Sequence, residues 1–161
     1  MDKKLAGIVN QKFLLLANSF QKVLYEDDTV FLQNMRKKNM PESEIKKYQF
    51  WEWTQGVGLF GFWKYFEFTK NEQYLNILVD DRQIKIGLPG KNVNTVAPLL
   101  PLSFLAEYSK DERYFSICRE WADWIMDGFP RTKEGGFQHI TSDSVNEQEL
   151  WDDTLFMTVL F

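Results

Sequence analysis

The sequence predicts an all-α protein built from helical hairpins arranged as an α/α toroid. Three observations predict it. Helical spacing of apolar residues recurs along the chain, and strand alternation is nowhere sustained. A segment repeats at an offset of 40 residues: Glu-Phe-Thr-Lys-Asn-Glu-Gln-Tyr at 67–74 and Glu-Tyr-Ser-Lys-Asp-Glu-Arg-Tyr at 107–114, each closing one apolar helix and opening the next. Helices that are apolar nearly all round alternate with amphipathic ones, which separates an inner, buried layer from an outer one. A two-helix unit of about 40 residues makes either a solenoid or a closed ring. The inner and outer alternation points to the ring, whose inner helix ends face a shared mouth.

Taken in order, the first helix covers residues 5–24, where Phe13, Leu14, Ala17, Phe20 and Leu24 follow helical spacing. The charged run Arg36 to Glu44 reads as part of a solvated connection. Further helices are expected near 51–68, 72–87, 95–108, 112–127 and 150–161. Those near 51–68, 95–108 and from 150 onward are inner, and those near 5–24, 72–87 and 112–127 are outer. Thr69 with Glu72, and Ser109 with Glu112, fit capping boxes, in which a hydroxyl caps an early amide and the glutamate reaches back. Asn92-Val93-Asn94-Thr95 supplies helix-start chemistry, with Pro98 in the first turn and Pro101 expected to bend the helix. A fainter repeat links Phe50-Trp51-Glu52-Trp53-Thr54 with Leu150-Trp151-Asp152-Asp153-Thr154. The polar pair Asp80-Asp81 interrupts an otherwise apolar ridge and has no explanation in the pattern.

Hydrophobic residues make up 44% of the chain and aromatics 16%, which excludes a disordered tail. The net charge of -4 argues against a nucleic-acid partner, which would need a basic patch. The stretch Leu5 to Leu24 is broken by Asn10, Gln11, Lys12, Asn18 and Gln21, so it is not expected to span a membrane. One cysteine and one histidine leave no intrachain disulfide and argue against a His/Cys zinc site. Cys118 reads as core. With no secretory apolar region near Met1, a reducing cytoplasm is the expected compartment. The chain stops at Leu155 to Phe161, an apolar run without a capping signal, so the 161 residues are expected to be part of one longer domain.

Gly56-Val57-Gly58-Leu59-Phe60-Gly61 matches a dinucleotide fingerprint literally, but no strand precedes it. The expected reading is glycines that let inner helices approach. Asp152-Asp153-Thr154 lacks the further acids of a diphosphate-metal site. Asp153 sits at the start of an inner helix beside Trp151 and the mouth. Spacing alone leaves two readings open: a partly desolvated carboxylate suited to acid/base work, or an acid complementing the helix dipole. Gly135-Gly136-Phe137-Gln138-His139 places the lone histidine just before that helix, and a lone histidine can equally be structural.

Several segments in order resemble the unsaturated rhamnogalacturonyl hydrolases, glycoside hydrolase family 105, related to the unsaturated glucuronyl hydrolases of family 88. They are Trp51 through Gln55-Gly56, Asn92 to Thr95 with Ala97-Pro98, Lys110 to Tyr114, Glu134 to His139, and Leu150 to Leu155. The resemblance implies a six-hairpin toroid, of which residues 1–161 would be the N-terminal half. It also implies hydration of a C4–C5 vinyl ether in lyase-generated oligosaccharides, such as the unsaturated rhamnogalacturonan disaccharide. An aspartate protonates C4, water adds at C5, and the hemiketal opens. No metal and no cofactor are implied.

On this resemblance Asp153 is the acid/base residue. Asn94 stands where some relatives carry a second aspartate; it can hydrogen-bond but cannot exchange protons. His139 falls beside the sugar, and Trp51, Gln55 and Trp151 are expected to line the mouth, where aromatic faces suit a flattened ring. Residues 1–161 alone are expected to be inactive and to self-associate through an exposed apolar edge. The competing readings are a non-catalytic helical-repeat module and another sugar-active toroid enzyme, such as an epimerase.

Overall fold

The computed structural model describes residues 3–78, 86–142 and 144–161. Helix α1 (Lys3–Tyr25) is followed by α2 (Thr29–Lys37), α3 (Glu42–Gln49), α4 (Trp53–Thr69) and α5 (Glu72–Leu78). Then come the short α6 (Val93–Val96), α7 (Leu99–Ser109), α8 (Glu112–Asp127) and α9 (Asp152–Thr154), the last running into a π-helical turn, Leu155–Val159. Among the described residues β structure is limited to two isolated antiparallel bridges, Arg131 with Phe137 and Ile140 with Val145. The polar pair Asp80-Asp81 lies outside the described residues.

The 40-residue repeat is a geometric repeat. Helices α4 and α7 both end on a lysine in the left-handed region, Lys70 at φ 57° and Lys110 at φ 57°. Their amides return to Phe66 O at 2.7 Å and Ala106 O at 2.9 Å, which closes each helix where glycine is the commoner choice. The expected capping boxes are corrected in detail. Asn71 Oδ1 accepts from Gln73 N–H and Asp111 Oδ1 from Arg113 N–H, so these residues cap α5 and α8. The Thr69 hydroxyl instead donates back to Tyr65 O, and the Ser109 hydroxyl accepts from Asp111 N–H. An Asn or Asp one residue before the glutamate reaches the early amide without distorting the lysine turn.

The stretch 36–44 is not a plain connection. Arg36 and Lys37 finish α2, and Glu42 begins α3. The charges are solvated as expected, but Leu32, Met35 and Ile45 on the opposite sides form a small core of their own. Arg36 and Glu42 pair across the turn at 2.6 Å. At such exposed positions this pair is worth only about 0–1 kcal/mol, so the three apolar contacts hold the turn together. The expected helix over 95–108 is two pieces. Asn92 Oδ1 caps α6 through the amides of Asn94 and Thr95, and the Thr95 hydroxyl accepts back from Asn92 N–H. Pro98 immediately precedes α7 and Pro101 lies in its first turn, where no amide partner exists to lose, so Pro101 need not bend the helix.

The predicted inner helices near 51–68 and 95–108 bury apolar faces, whereas the third, from 150 onward, is a three-residue helix and a π-helical turn that leave Leu155, Val159 and Leu160 exposed. Helix α7 buries Leu99, Leu100, Leu102 and Leu105 against α8, which contributes Tyr114, Trp121 and Ile125 and turns its charged face outward. Helix α4 buries Phe62, Trp63 and Phe66 against α1 and α5. Gly56 carries the close approach. A Cβ there would stand 2.5 Å from Ala97 C and 2.6 Å from Pro98 N, so α4 meets the α6–α7 junction backbone to backbone. Gly56 and Gly58 therefore serve helix packing, Gly58 against the Phe20 ring, while a Cβ on Gly61 would meet nothing within 4 Å. Cys118 is half-buried against the α7–α8 core, and burial pushes its thiol up to about 11.

Candidate active site

The site forms where the segment 128–151 folds back on itself. Gly135 takes φ 86°, a left-handed turn that glycine adopts without penalty. A Cβ on Gly136 would lie 2.8 Å from Leu150 Cδ2, so this glycine lets the two limbs of the loop close on each other. The backbone then zips: His139 N–H donates to Glu149 O at 3.0 Å, and Asn146 N–H donates to His139 O at 3.1 Å. These bonds bring His139 beside the start of α9, where Asp153 lies.

The imidazole is nearly fully buried, and its plane stacks on Trp151 with ring centroids 4.1 Å apart and an 8° tilt. Its Nδ1 lies 3.2 Å from Thr154 Oγ1 and 3.6 Å from Asp153 Oδ1. Trp151 donates through Nε1 to Glu149 Oε2 at 2.8 Å. The Asp153 side chain is 44% exposed, so the described residues do not supply the desolvation expected for it. A half-open carboxylate touching a buried imidazole can present one oxygen outward while the other keeps a polar neighbour. The π-helical turn follows at once, with the Thr158 hydroxyl donating to Thr154 O at 2.5 Å. Such turns insert one residue and re-aim the side chains around them.

The other expected residues are placed less uniformly. Asn94 is half-buried in the first turn of α6. The neighbouring Val93 N–H donates to Ile140 O at 2.9 Å, and α6 packs on the π-helical turn, so Asn94 belongs to the same end of the bundle. Trp51 is buried, and its Nε1 donates to Thr95 O at 2.8 Å, tying the start of α4 to α6. Gln55 is used locally: its side-chain oxygen accepts from Glu52 N–H at 3.2 Å and its amide nitrogen donates to Gln49 O at 3.3 Å. Both residues thus brace the site's frame.

Three residues contribute that spacing did not single out. Glu52 is a buried carboxylate at the start of α4, and its Oε1 accepts from Ser142 Oγ at 3.3 Å, two residues past Ile140. Its only signal was its place in the Trp-acid repeat. Thr154 is buried at His139 Nδ1, again within that repeat. Glu149 is an acid in a polar run and gave no signal at all. Among the described residues no group of three His, Cys, Asp or Glu side chains is gathered that could hold a metal ion. No helix of the described residues is long and apolar enough to cross a membrane.

Residues 28–161 match the family described as Glycosyl Hydrolase Family 88. The chain is 35% identical over 115 residues to the unsaturated rhamnogalacturonyl hydrolase YesR of Bacillus subtilis, covering 69% of this chain and 33% of that protein. It superimposes on the crystal structure of a possible GH105 family member from Klebsiella pneumoniae at TM-score 0.64 and 43% identity, covering 68% of this chain and 29% of that one. A second possible GH105 member, from Salmonella enterica, gives TM-score 0.65 and 45% identity over 68% and 30%. The chain spans about a third of the length of these relatives.

Proposed function

The chain belongs to glycosyl hydrolase family 88, and on that premise we propose that it carries the proton-donating part of an unsaturated uronyl hydrolase, with Asp153 as the acid. The substrate class is an oligosaccharide released by a polysaccharide lyase, such as the unsaturated rhamnogalacturonan disaccharide. The observation that carries the reading is the outward-facing Asp153 carboxylate, 3.6 Å from the buried His139, in the short helix α9.

In the proposed reaction Asp153 transfers its proton to C4 of the vinyl ether, and positive charge develops at C5, shared with the ring oxygen. Water attacks C5 and returns a proton to the Asp153 carboxylate, which restores the acid. The C5 hemiketal opens to a ketone, the ring oxygen becomes a hydroxyl on C1, and collapse of that hemiacetal releases the attached sugar. One carboxylate serves both proton steps, since Asn94 can only orient by hydrogen bonding. Nothing covalent forms with the protein, so the carboxylate-separation rule of ordinary glycosidases does not apply. Trp151, 46% exposed, offers one indole face to the sugar ring while the other rests on His139. The buried imidazole acts on the carboxylate, and Trp51 and Gln55 hold the helix start that frames it.

The test is the loss of the double bond's ultraviolet absorbance with that disaccharide as substrate. Activity in the protein that carries this chain is expected to depend on Asp153. An Asp153→Asn variant with unchanged turnover would remove the assignment. Residues 1–161 alone are expected to be inactive, because the chain spans only about a third of the length of these relatives. We place the protein in the cytoplasm.

A second reading, association of the chain with itself, is favoured by apolar side chains that α1 and α4 leave exposed. Phe68 on α4 is 81% exposed, Val57 lies on the same helix, and Leu15, Leu16 and Val23 stand out from α1. Exposed apolar surface of this extent favours burial against a second molecule. Light scattering is expected to show association that weakens in Leu16→Glu with Phe68→Glu; a monomer at all concentrations contradicts it.

A further inference from the structure

We infer that Glu149 is a positioning residue for this site: its carboxylate holds the Trp151 indole against the His139 imidazole while its carbonyl holds the His139 main chain, so one residue sets where His139 Nδ1 meets Asp153. Its consequence for turnover rests on the reading of Asp153 as the acid, but the geometry does not.

Glu149 engages the site through two separate groups. The carbonyl accepts from His139 N–H at 3.0 Å, which fixes the height of the histidine backbone. Oε2 accepts from Trp151 Nε1 at 2.8 Å and from Asn146 Nδ2 at 3.2 Å, which fixes the carboxylate and through it the indole. Asn146 N–H in turn donates to His139 O at 3.1 Å, closing the circuit on the same histidine. The indole needs this anchor. Trp151 is nearly half exposed, so packing alone leaves its ring room to turn. The bond from Trp151 Nε1 to the Glu149 side chain holds the indole in the orientation in which it lies flat on the imidazole at 8°. With that face closed, Nδ1 is presented along its edge to Thr154 Oγ1 and Asp153 Oδ1. Releasing the indole would let the imidazole tilt and carry Nδ1 away from the carboxylate.

His139 is the only histidine, so its carbon-bound ring protons give unambiguous NMR signals. Stacked under an indole, they should resonate upfield of a free histidine. At one fixed pH, Glu149→Ala is expected to move them downfield by at least half of the displacement seen in Trp151→Ala. Glu149→Gln, whose amide oxygen still accepts from the indole, is expected to keep most of the wild-type shift. An unmoved imidazole in E149A with a native amide spectrum overturns the proposal. Should E149A fail to fold, the Trp151 indole N–H decides, identified by its loss in Trp151→Phe. It must move in E149Q while the other indoles stay, and an unmoved signal overturns the proposal. In a protein that turns over substrate, E149A is expected to lower kcat by roughly 10- to 100-fold with a smaller change in KM, and E149Q to recover most of it. Unchanged kinetics in E149A would contradict the positioning role. A protein without turnover would instead count against the Asp153 reading and leave the NMR result to stand on its own.

Discussion

The Nδ1 nitrogen of His139 lies 3.6 Å from Oδ1 of Asp153, yet the two side chains differ widely in exposure, at 4% and 44%. The pair therefore joins an interior group to a surface one. Thr154 Oγ1 sits closer to the same nitrogen, at 3.2 Å, so the threonine is the interior partner and the aspartate faces out.

Replacing Thr154 by valine removes the closer partner while keeping the shape. The buried imidazole then relies on Asp153 alone. Urea denaturation is expected to show a loss of about 1 kcal/mol, and up to about 3 if Nδ1 is left unsatisfied. No loss would mean that the threonine hydroxyl does not engage the ring.

Gly56 and Gly61, five residues apart on α4, should respond oppositely to alanine. The Gly56 Cβ would press on the Ala97–Pro98 backbone, which cannot yield as a side chain can, so Gly56→Ala is expected to cost about 1–3 kcal/mol. Around Gly61 a Cβ meets nothing within 4 Å, so Gly61→Ala is expected to stabilise by roughly 0.4–1 kcal/mol. Thermal melts of the two variants separate these outcomes.

Cys118 titrates at about 11, raised by burial, against an ordinary thiol value of 9.0. The folded state then holds the proton that the unfolded chain gives up, so this residue's share of stability is intact below about pH 9. It falls as pH rises from about 9 to about 11. At pH 8 iodoacetamide is expected to label the folded protein slowly and the urea-unfolded protein fast. Equal rates would contradict a half-buried, protonated thiol.

The inner and outer helices were legible in the sequence because their faces are written at helical spacing. Leu99, Leu102 and Leu105 leave little choice for α7, and Tyr114, Trp121 and Ile125 little for α8. Helices α2 and α3 were not legible because each is short and charged. Leu32 and Met35 on α2 and Ile45 and Tyr48 on α3 are their buried residues, and Leu32, Met35 and Ile45 meet only when both helices have formed. The capping hydroxyls misled for a related reason: Thr69 and Ser109 fit a capping box by spacing, but the left-handed lysines at 70 and 110 hand the cap to Asn71 and Asp111. In the site, Asp153 and His139 could be singled out by position. Their meeting depends on the return of the chain from His139 to Glu149, a pairing carried by backbone bonds that no residue pattern announces.

The central claim is that Asp153 delivers the proton. The most direct measurement follows the double bond's ultraviolet absorbance of an unsaturated rhamnogalacturonan disaccharide with the protein that carries this chain and with its Asp153→Asn variant, circular dichroism confirming that both are folded. Absorbance is expected to decay with the wild-type protein and to stay essentially unchanged with Asp153→Asn. Equal decay in the two would contradict it.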